Sequence, residues 1–327
     1  MIYTDKIYGR FEITEQVIVE LINCPSLQRL KGVDQAGYPK PYFVGSSNRF
    51  EHSLGVFLLL KKYNAPIEEQ VAGLIHDVSH FVFSHCIDYT LDENSEKEHN
   101  YQDSILKDFI RESEISGIIE KYNLNLNTIL DDQNFPLKEK NLPDLCADRI
   151  DYSLRDAFYH GDLIKKDKLK YILDNLITIE DLWVFRDFQS ARAYAGLFYK
   201  LNTCYYAGIN AAVMFTTTGT CLKYSLEKRY ITKEDIHTTD SQVLSKIRKH
   251  LNKDKKLMLL FNRMNNLNGF TENKENYDAH VFCKSRIVDP LFIYNKNLRR
   301  LSDKDKDWVS ILKSESKPKE YFIRFNS

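Results

Sequence analysis

Five of the nine histidines in this 327-residue chain fall between positions 52 and 99: His52, His76, His80, His85 and His99. Such clustering is unusual for histidines that merely pack in a core. The stretch Ala72-Gly73-Leu74-Ile75-His76-Asp77 sets an imidazole beside a carboxylate where the apolar spacing reads as the end of a helix. Adjacent helix positions project about 100° apart. His76 and Asp77 therefore reach one ion only at an edge that other ligands complete. Imidazole nitrogen with carboxylate oxygen suits a divalent ion such as Mn, Fe, Co, Ni or Zn, and tolerates Mg. His76 and His80 share a face if the helix runs on. Ligand chemistry alone leaves a metal site and a set of packed histidines both open.

The elements that must position these residues are mostly helical. Apolar spacing predicts helices over Glu15–Asn23, Glu51–Tyr63 and Ile67–Val78, the last two separated by Pro66. Pro25 suits the first turn of a helix through Leu27 and Leu30. Further helical spacing covers Tyr101–Tyr122, Asp144–Phe158, Ala191–Phe215 and Asp240–Leu251. Ile2–Ile13 alternates as short strands do. The tail changes character, with strands expected at Ala279–Cys283, Val288–Tyr294 and Tyr321–Phe325. The fold class expected is mainly α, with a small C-terminal α+β region and no linker long enough for an independent module.

Composition narrows the classes. Hydrophobic residues make up 43% of the chain, enough for a large buried core. No run of about eighteen apolar residues occurs, so no membrane-spanning helix is expected. The first residues lack the charged start and apolar stretch of a signal peptide, which makes the cytoplasm the expected location. The six cysteines are scattered without a Cys-x-x-Cys pair, which argues against a zinc knuckle or a disulfide framework. The formal net charge is zero but uneven: residues 241–327 carry 19 Lys and Arg against 10 Asp and Glu, the first 240 residues 27 against 36. A solvated surface explains the basic tail, and so does an anion-attracting face for nucleotides or nucleic acid.

Read in order, several stretches resemble the HD-domain phosphohydrolases, and within them the deoxynucleoside triphosphate triphosphohydrolase-like branch. They are Leu27-Gln28-Arg29-Leu30, Gln35-Ala36-Gly37, Asn48-Arg49-Phe50-Glu51-His52-Ser53-Leu54-Gly55, Ala72 through His80, Phe83-Ser84-His85, Asp148-Arg149-Ile150-Asp151-Tyr152 and Val288-Asp289-Pro290-Leu291. The resemblance covers nearly the whole chain. It implies an HD-domain topology for the helical core read over residues 1–240, which the α+β appendage over 241–327 follows. It implies His52, His76, Asp77 and Asp148 as ligands of a divalent metal. It implies His85 as the acid that protonates a leaving alkoxide, with Asp88 and His99 holding or tuning it and His80 beside the phosphate site. Gln35, Arg49, Arg149, Tyr152 and Asp156 are implied at the substrate, Gln35 and Tyr152 on the sugar side and the arginines on phosphate.

One departure stands out. In that branch a later helix presents His and basic residues to the phosphates, whereas this chain has Tyr205 and Tyr206 there, with Lys200 keeping one cation. The activity implied is attack of metal-bound hydroxide at the α-phosphorus of a deoxynucleoside triphosphate, releasing deoxynucleoside and tripolyphosphate. An HD-type nucleotidase or phosphodiesterase on a mono- or cyclic nucleotide is the alternative. A non-catalytic nucleic-acid-binding scaffold, centred on Lys246–Lys256, is the second alternative. The resemblance also implies a homo-oligomer, dimer or tetramer.

Overall fold

The computed structural model describes residues 1–91, 105–160 and 163–326. The architecture is mainly α, with small sheets at the edges and in the C-terminal region. Its centre is the helix Arg49–Lys62. Asn48 caps it by accepting from the Glu51 amide at 2.9 Å, and Lys61 and Lys62 close its last turn, where the helix dipole favours cations. This helix is apolar on all sides. Val56, Leu59 and Leu60 pack with Ile150, Leu154 and Phe198. Leu54, Phe57 and Leu58 pack with Ile18, Leu21 and Leu74. A helix buried from both sides is a fixed platform, and it carries His52.

The next helix is shorter than its spacing predicts. It spans Ile67–Ile75 and then gives way to turns through Ser79. The physical cause is His76, whose Nδ1 bonds the Gly73 carbonyl at 2.8 Å. That carbonyl would otherwise accept the Asp77 amide. His76 and His80 therefore do not share a helix face. At the other end, Glu69 is buried and accepts the amides of Leu137 and Lys138, each at 2.8 Å, which ties the loop before Asp148 to this helix. The Asp148 helix spans Ala147–Tyr159, three residues later at its start than expected.

The segment expected as one helix over Ala191–Phe215 is two. Phe188–Leu201 runs into a π-helical turn, Asn202–Tyr206, and a second helix follows over Ile209–Glu227. Gly208 permits the break: a Cβ there would lie 2.8 Å from the Cys204 carbonyl oxygen and 2.9 Å from that of Thr203. The Tyr101–Tyr122 helix is likewise divided, into Leu106–Glu112 and Glu114–Lys121 with Ser113 as cap; residues 101–104 lie outside the described residues.

Strands β1 (Ile2–Asp5) and β2 (Gly9–Glu12) form the expected N-terminal hairpin. A second hairpin, β3 (Leu176–Ile179) and β4 (Leu182–Phe185), carries no strand expectation. β5 (Phe270–Glu272) and β6 (Ala279–Cys283) flank β9 (Lys319–Phe325) in a three-stranded antiparallel sheet. β7 (Leu291–Tyr294) and β8 (Asn297–Arg300) join β3 and β4 in a four-stranded sheet of order β3-β4-β7-β8. There β7 runs parallel to β4, with Val184 opposite Leu291 and Phe185 opposite Phe292. Trp308 is fully buried in the same core as Phe198 and Leu201. The tail is thus stitched to the helical body. Among the described residues no helix is long and apolar enough to cross a membrane.

Candidate metal centre and substrate cavity

The helix Arg49–Lys62 projects His52 toward the turn after Ile75 and toward the first turn of the Asp148 helix. The three elements bring His52, His76 and Asp148 together. The Nε2 atoms of His52 and His76 lie 3.2 Å apart. Asp148 Oδ1 is 2.9 Å from the first and 3.4 Å from the second. Asp77 stands at the rim of this set, with Oδ1 3.5 Å from His76 Nε2 and Oδ2 3.8 Å from His52 Nε2.

The donor set fits a divalent ion, and the ring orientation carries that conclusion. His52 Nδ1 meets Asp151 Oδ2 at 2.7 Å, and His76 Nδ1 meets the Gly73 carbonyl at 2.8 Å. Both partners only accept, so each Nδ1 carries the hydrogen. The two neutral rings then turn Nε2 lone pairs toward one point, an arrangement that demands a cation. Bonds of 2.0–2.2 Å to one ion place neighbouring ligand atoms roughly 3.0–3.5 Å apart, the spacing found here.

Electrostatics show the positive charge that the site calls for. Burial presses the His52 imidazole toward neutrality, but Asp148 and Asp151 outweigh it and raise its pKa to about 10, so without an ion a proton sits on Nε2, the position a divalent cation would take over. Burial works against the charge of Asp148, and the two imidazoles overcome it, holding its carboxyl well below the usual range. Asp77 is held low against the same burial, first by Arg49. Arg49 Nη1 donates to Asp77 Oδ2 at 2.6 Å and Nε donates to Ser84 Oγ at 2.6 Å. Among the described residues its buried Nη2 has no hydrogen-bond partner.

Behind His52 lies a chain of buried charges. Asp151 accepts from Arg155 Nε and Nη2, each at 2.9 Å, and Arg155 Nη2 also donates to Asp5 Oδ2 at 3.1 Å. Such a carboxylate partner fixes the tautomer and direction of a metal-binding imidazole. Asp151 sits within the quoted motif, yet no role was attached to it. Its spacing of three from Asp148 on a helix was the available signal.

The set opens on a cavity of about 550 Å³. Gln35, Arg49, His80, His85, Arg149, Tyr152 and Asp156 line it. His80 Nε2 lies 3.1 Å from Asp77 Oδ1, and His85 Nδ1 lies 3.2 Å from Asp88 Oδ2. Asp88 is fully buried behind His85 rather than on the wall. His99 lies outside the described residues. Lys200 is not brought to the cavity: its side chain is exposed on the far face of its helix. Arg149 commits Nη1 to the carbonyls of Lys140 and Asp144, at 3.0 and 2.7 Å, and faces Glu139 at 3.7 Å.

The π-helical turn delivers Tyr205 and Tyr206 to the cavity. Tyr206 Oη donates to Asp156 Oδ2 at 2.9 Å, and burial pushes the Asp156 carboxyl up to about 7. Tyr205 stacks on His160 with centroids 4.1 Å apart and planes 8° apart. His160 lines the cavity and was missed, as were Lys284 and Arg286. Burial lowers the His160 pKa to about 4. The unfolded chain, at about 6.5, takes up this proton first. The stability His160 contributes is therefore complete above pH 6.5 and drains away as pH falls toward 4. His160→Phe keeps the stack without the titration. Between pH 7 and 4.5 the wild-type Tm is expected to fall more steeply than that of His160→Phe, and parallel melting curves would refute this.

The comparisons with known proteins agree with this geometry. The HD domain family model matches residues 49–156, which include His52, His76, Asp77 and Asp148. The chain is 34% identical over 298 residues to the uncharacterized protein YdhJ of Bacillus subtilis, covering 90% of this chain and 89% of that one. It is 37% identical over 171 residues to the metal-dependent phosphohydrolase cns2 of Cordyceps militaris, covering 51% and 48%. It is 27% identical over 194 residues to the deoxynucleoside triphosphate triphosphohydrolase SAMHD1 homolog of Dictyostelium discoideum, covering 49% and 36%. The match thus spans less than half the length of these last two relatives. Among solved structures, a phosphohydrolase from Bacteroides thetaiotaomicron shares the fold with a TM-score of 0.75 at 18% identity, both chains covered in full. From the HD-domain match and a relative aligned over 90% of this chain, the chain belongs to the HD-domain phosphohydrolase superfamily, with deoxynucleoside triphosphate triphosphohydrolases among its relatives, and is a metal-dependent hydrolase.

Proposed function

We propose that the chain hydrolyses deoxynucleoside triphosphates to deoxynucleoside and tripolyphosphate. The observation that carries this reading is the juxtaposition in one cavity of the metal-ligand set, an Arg49 Nη2 unpartnered among the described residues, and the polar wall of Tyr152, Asp156 and Tyr206. The volume of about 550 Å³ suits a nucleotide. His52, His76, Asp148 and, at the rim, Asp77 would hold one divalent ion, which supplies charge neutralisation at phosphorus and acidifies water.

The chain's own groups do the rest. Arg49 Nη2 donates to a phosphate oxygen. Water adds to the α-phosphorus as the bond from phosphorus to O5′ breaks, and His85 gives its proton to O5′. Asp88 holds the far side of that ring. Gln35, Tyr152 and Asp156 face the sugar. The name of the Dictyostelium relative supports the triphosphate class. A homo-oligomer, dimer or tetramer, and a cytoplasmic location belong to the same reading.

A second reading, hydrolysis of a mono- or cyclic nucleotide, gains from the placement of Lys200 away from the cavity. A product assay separates the two. Each deoxynucleoside triphosphate, and a panel of mono-, di- and cyclic nucleotides, is incubated with the protein and Mn or Mg, and products are resolved by ion exchange. Deoxynucleoside plus tripolyphosphate is the expected result. Release of inorganic phosphate, or turnover confined to monophosphates or cyclic nucleotides, would overturn the triphosphate reading.

A further inference from the structure

The helix that carries Lys200 gives the cavity no cation, yet cations line it from the other end of the chain. We propose that Lys284 and Arg286, in the segment after β6, bind the outer phosphates of the substrate and set the length of phosphate chain the enzyme accepts. The proposal rests on the nucleotide reading above and adds residues that reading does not use. Both side chains line the same cavity as Arg49 and Tyr152. Among the described residues the Arg286 guanidinium has no hydrogen bond or carboxylate partner, and it lies close enough to Tyr152 to act on the phenol. An arginine held at a cavity wall without an acid presents its whole fork to an incoming anion.

The segment is also built to stay in place. Asn202, fully buried at the start of the π-helical turn, accepts the Arg286 amide through Oδ1 at 2.8 Å. Its Nδ2 donates to Ser285 Oγ and to Glu315 Oε2, each at 2.9 Å. Ser285 Oγ donates to the same Glu315 oxygen at 3.0 Å. Glu315 is buried, and Lys319 pairs with its other oxygen at 2.9 Å. Ser285 thus turns inward to the clamp while its two neighbours flank it at the cavity. The turn that brings Tyr205 and Tyr206 in place of basic groups is the same turn that fixes the replacement cations.

The test is calorimetric titration of inorganic tripolyphosphate into the purified protein, wild type against Lys284→Gln/Arg286→Gln. A second double variant, Lys253→Gln/Lys255→Gln, removes equal charge from the surface away from the cavity. Wild type and the surface variant are expected to bind alike, and the cavity variant at least tenfold more weakly with an unchanged Tm. Equal affinity in all three proteins, an equal loss in both variants, or no binding to wild type overturns the proposal. Because the probe is not turned over, a failed dNTP assay beside a selective loss of tripolyphosphate binding would sink the substrate reading and leave this site standing.

Discussion

His76→Ala is expected to strip the protein of its divalent ion and to lower kcat/KM by roughly 1,000-fold, the loss of several kcal/mol of transition-state stabilisation. The imidazole closes the short side of the ligand set, 3.2 Å from His52 and 3.4 Å from Asp148. Among the described residues no nearby group is free to replace it. His80 is engaged with Asp77. Glu139 and Cys146 also approach Asp148, but Arg149 already faces them, donating to Cys146 Sγ at 3.2 Å. The His76 ring also caps the Gly73 carbonyl, so a modest loss of Tm accompanies the loss of metal. Elemental analysis of the purified variant and its turnover are the measurements. A variant that keeps one ion per chain and near wild-type turnover would remove His76 from the ligand set.

Gly55→Ala is expected to destabilise the fold by about 3–5 kcal/mol, the cost of breaking a buried ion pair. Gly55 lies one helical turn from His52, where the chain of charges passes closest to the backbone. A Cβ there would sit 2.0 Å from Asp151 Oδ1 and 2.1 Å from Arg155 Nη2. Neither group has room to retreat, since both are buried and Arg155 is shared with Asp5. Moving Asp151 also releases His52 Nδ1, so metal affinity should fall with stability. Urea unfolding with and without added Mn reads both effects. A midpoint equal to that of wild type would show that the charge network shifts without cost.

The candidate metal centre was legible because its residues lie in short contiguous stretches whose neighbours carry as much pattern as they do. Asn48 through Gly55 encodes the cap, the ligand and the glycine that makes space for the charges behind it. What could not be read depends on contacts distant in sequence. Lys284 and Arg286 reach the cavity only because Asn202 and Glu315 hold the segment between them. Their own sequence context carries no motif. Lys200 was expected at the cavity from the resemblance of its stretch alone; it lies in the α-helix before the π-helical turn with its side chain exposed, and the turn that follows brings Tyr205 and Tyr206 to the cavity instead. The β3–β4 hairpin had β-branched residues and the short turn Glu180-Asp181, but it lacks the Asn-Gly or Asp-Gly signal that marks such turns, and Glu180 adopts a φ of 52° without glycine. The His76 turn needed a side chain to compete with the backbone for one carbonyl, which spacing does not report.

The parallel pairing of β7 with β4 and the clamp on Glu315 bear on how the protein is made. Synthesis proceeds from the N-terminus, and domains tend to fold as their residues emerge. Here His52, His76 and Asp148 leave the ribosome well before Leu291, Trp308 and Glu315, which close the sheet, fill the core beside Phe198 and lock the Arg286 segment. A nascent chain can thus assemble the metal ligands while its cavity still lacks one wall. Competence therefore arrives late, once the segment through Glu315 has emerged. Ribosome-bound chains stalled before Trp308 should take up metal without yet being able to grip a polyphosphate.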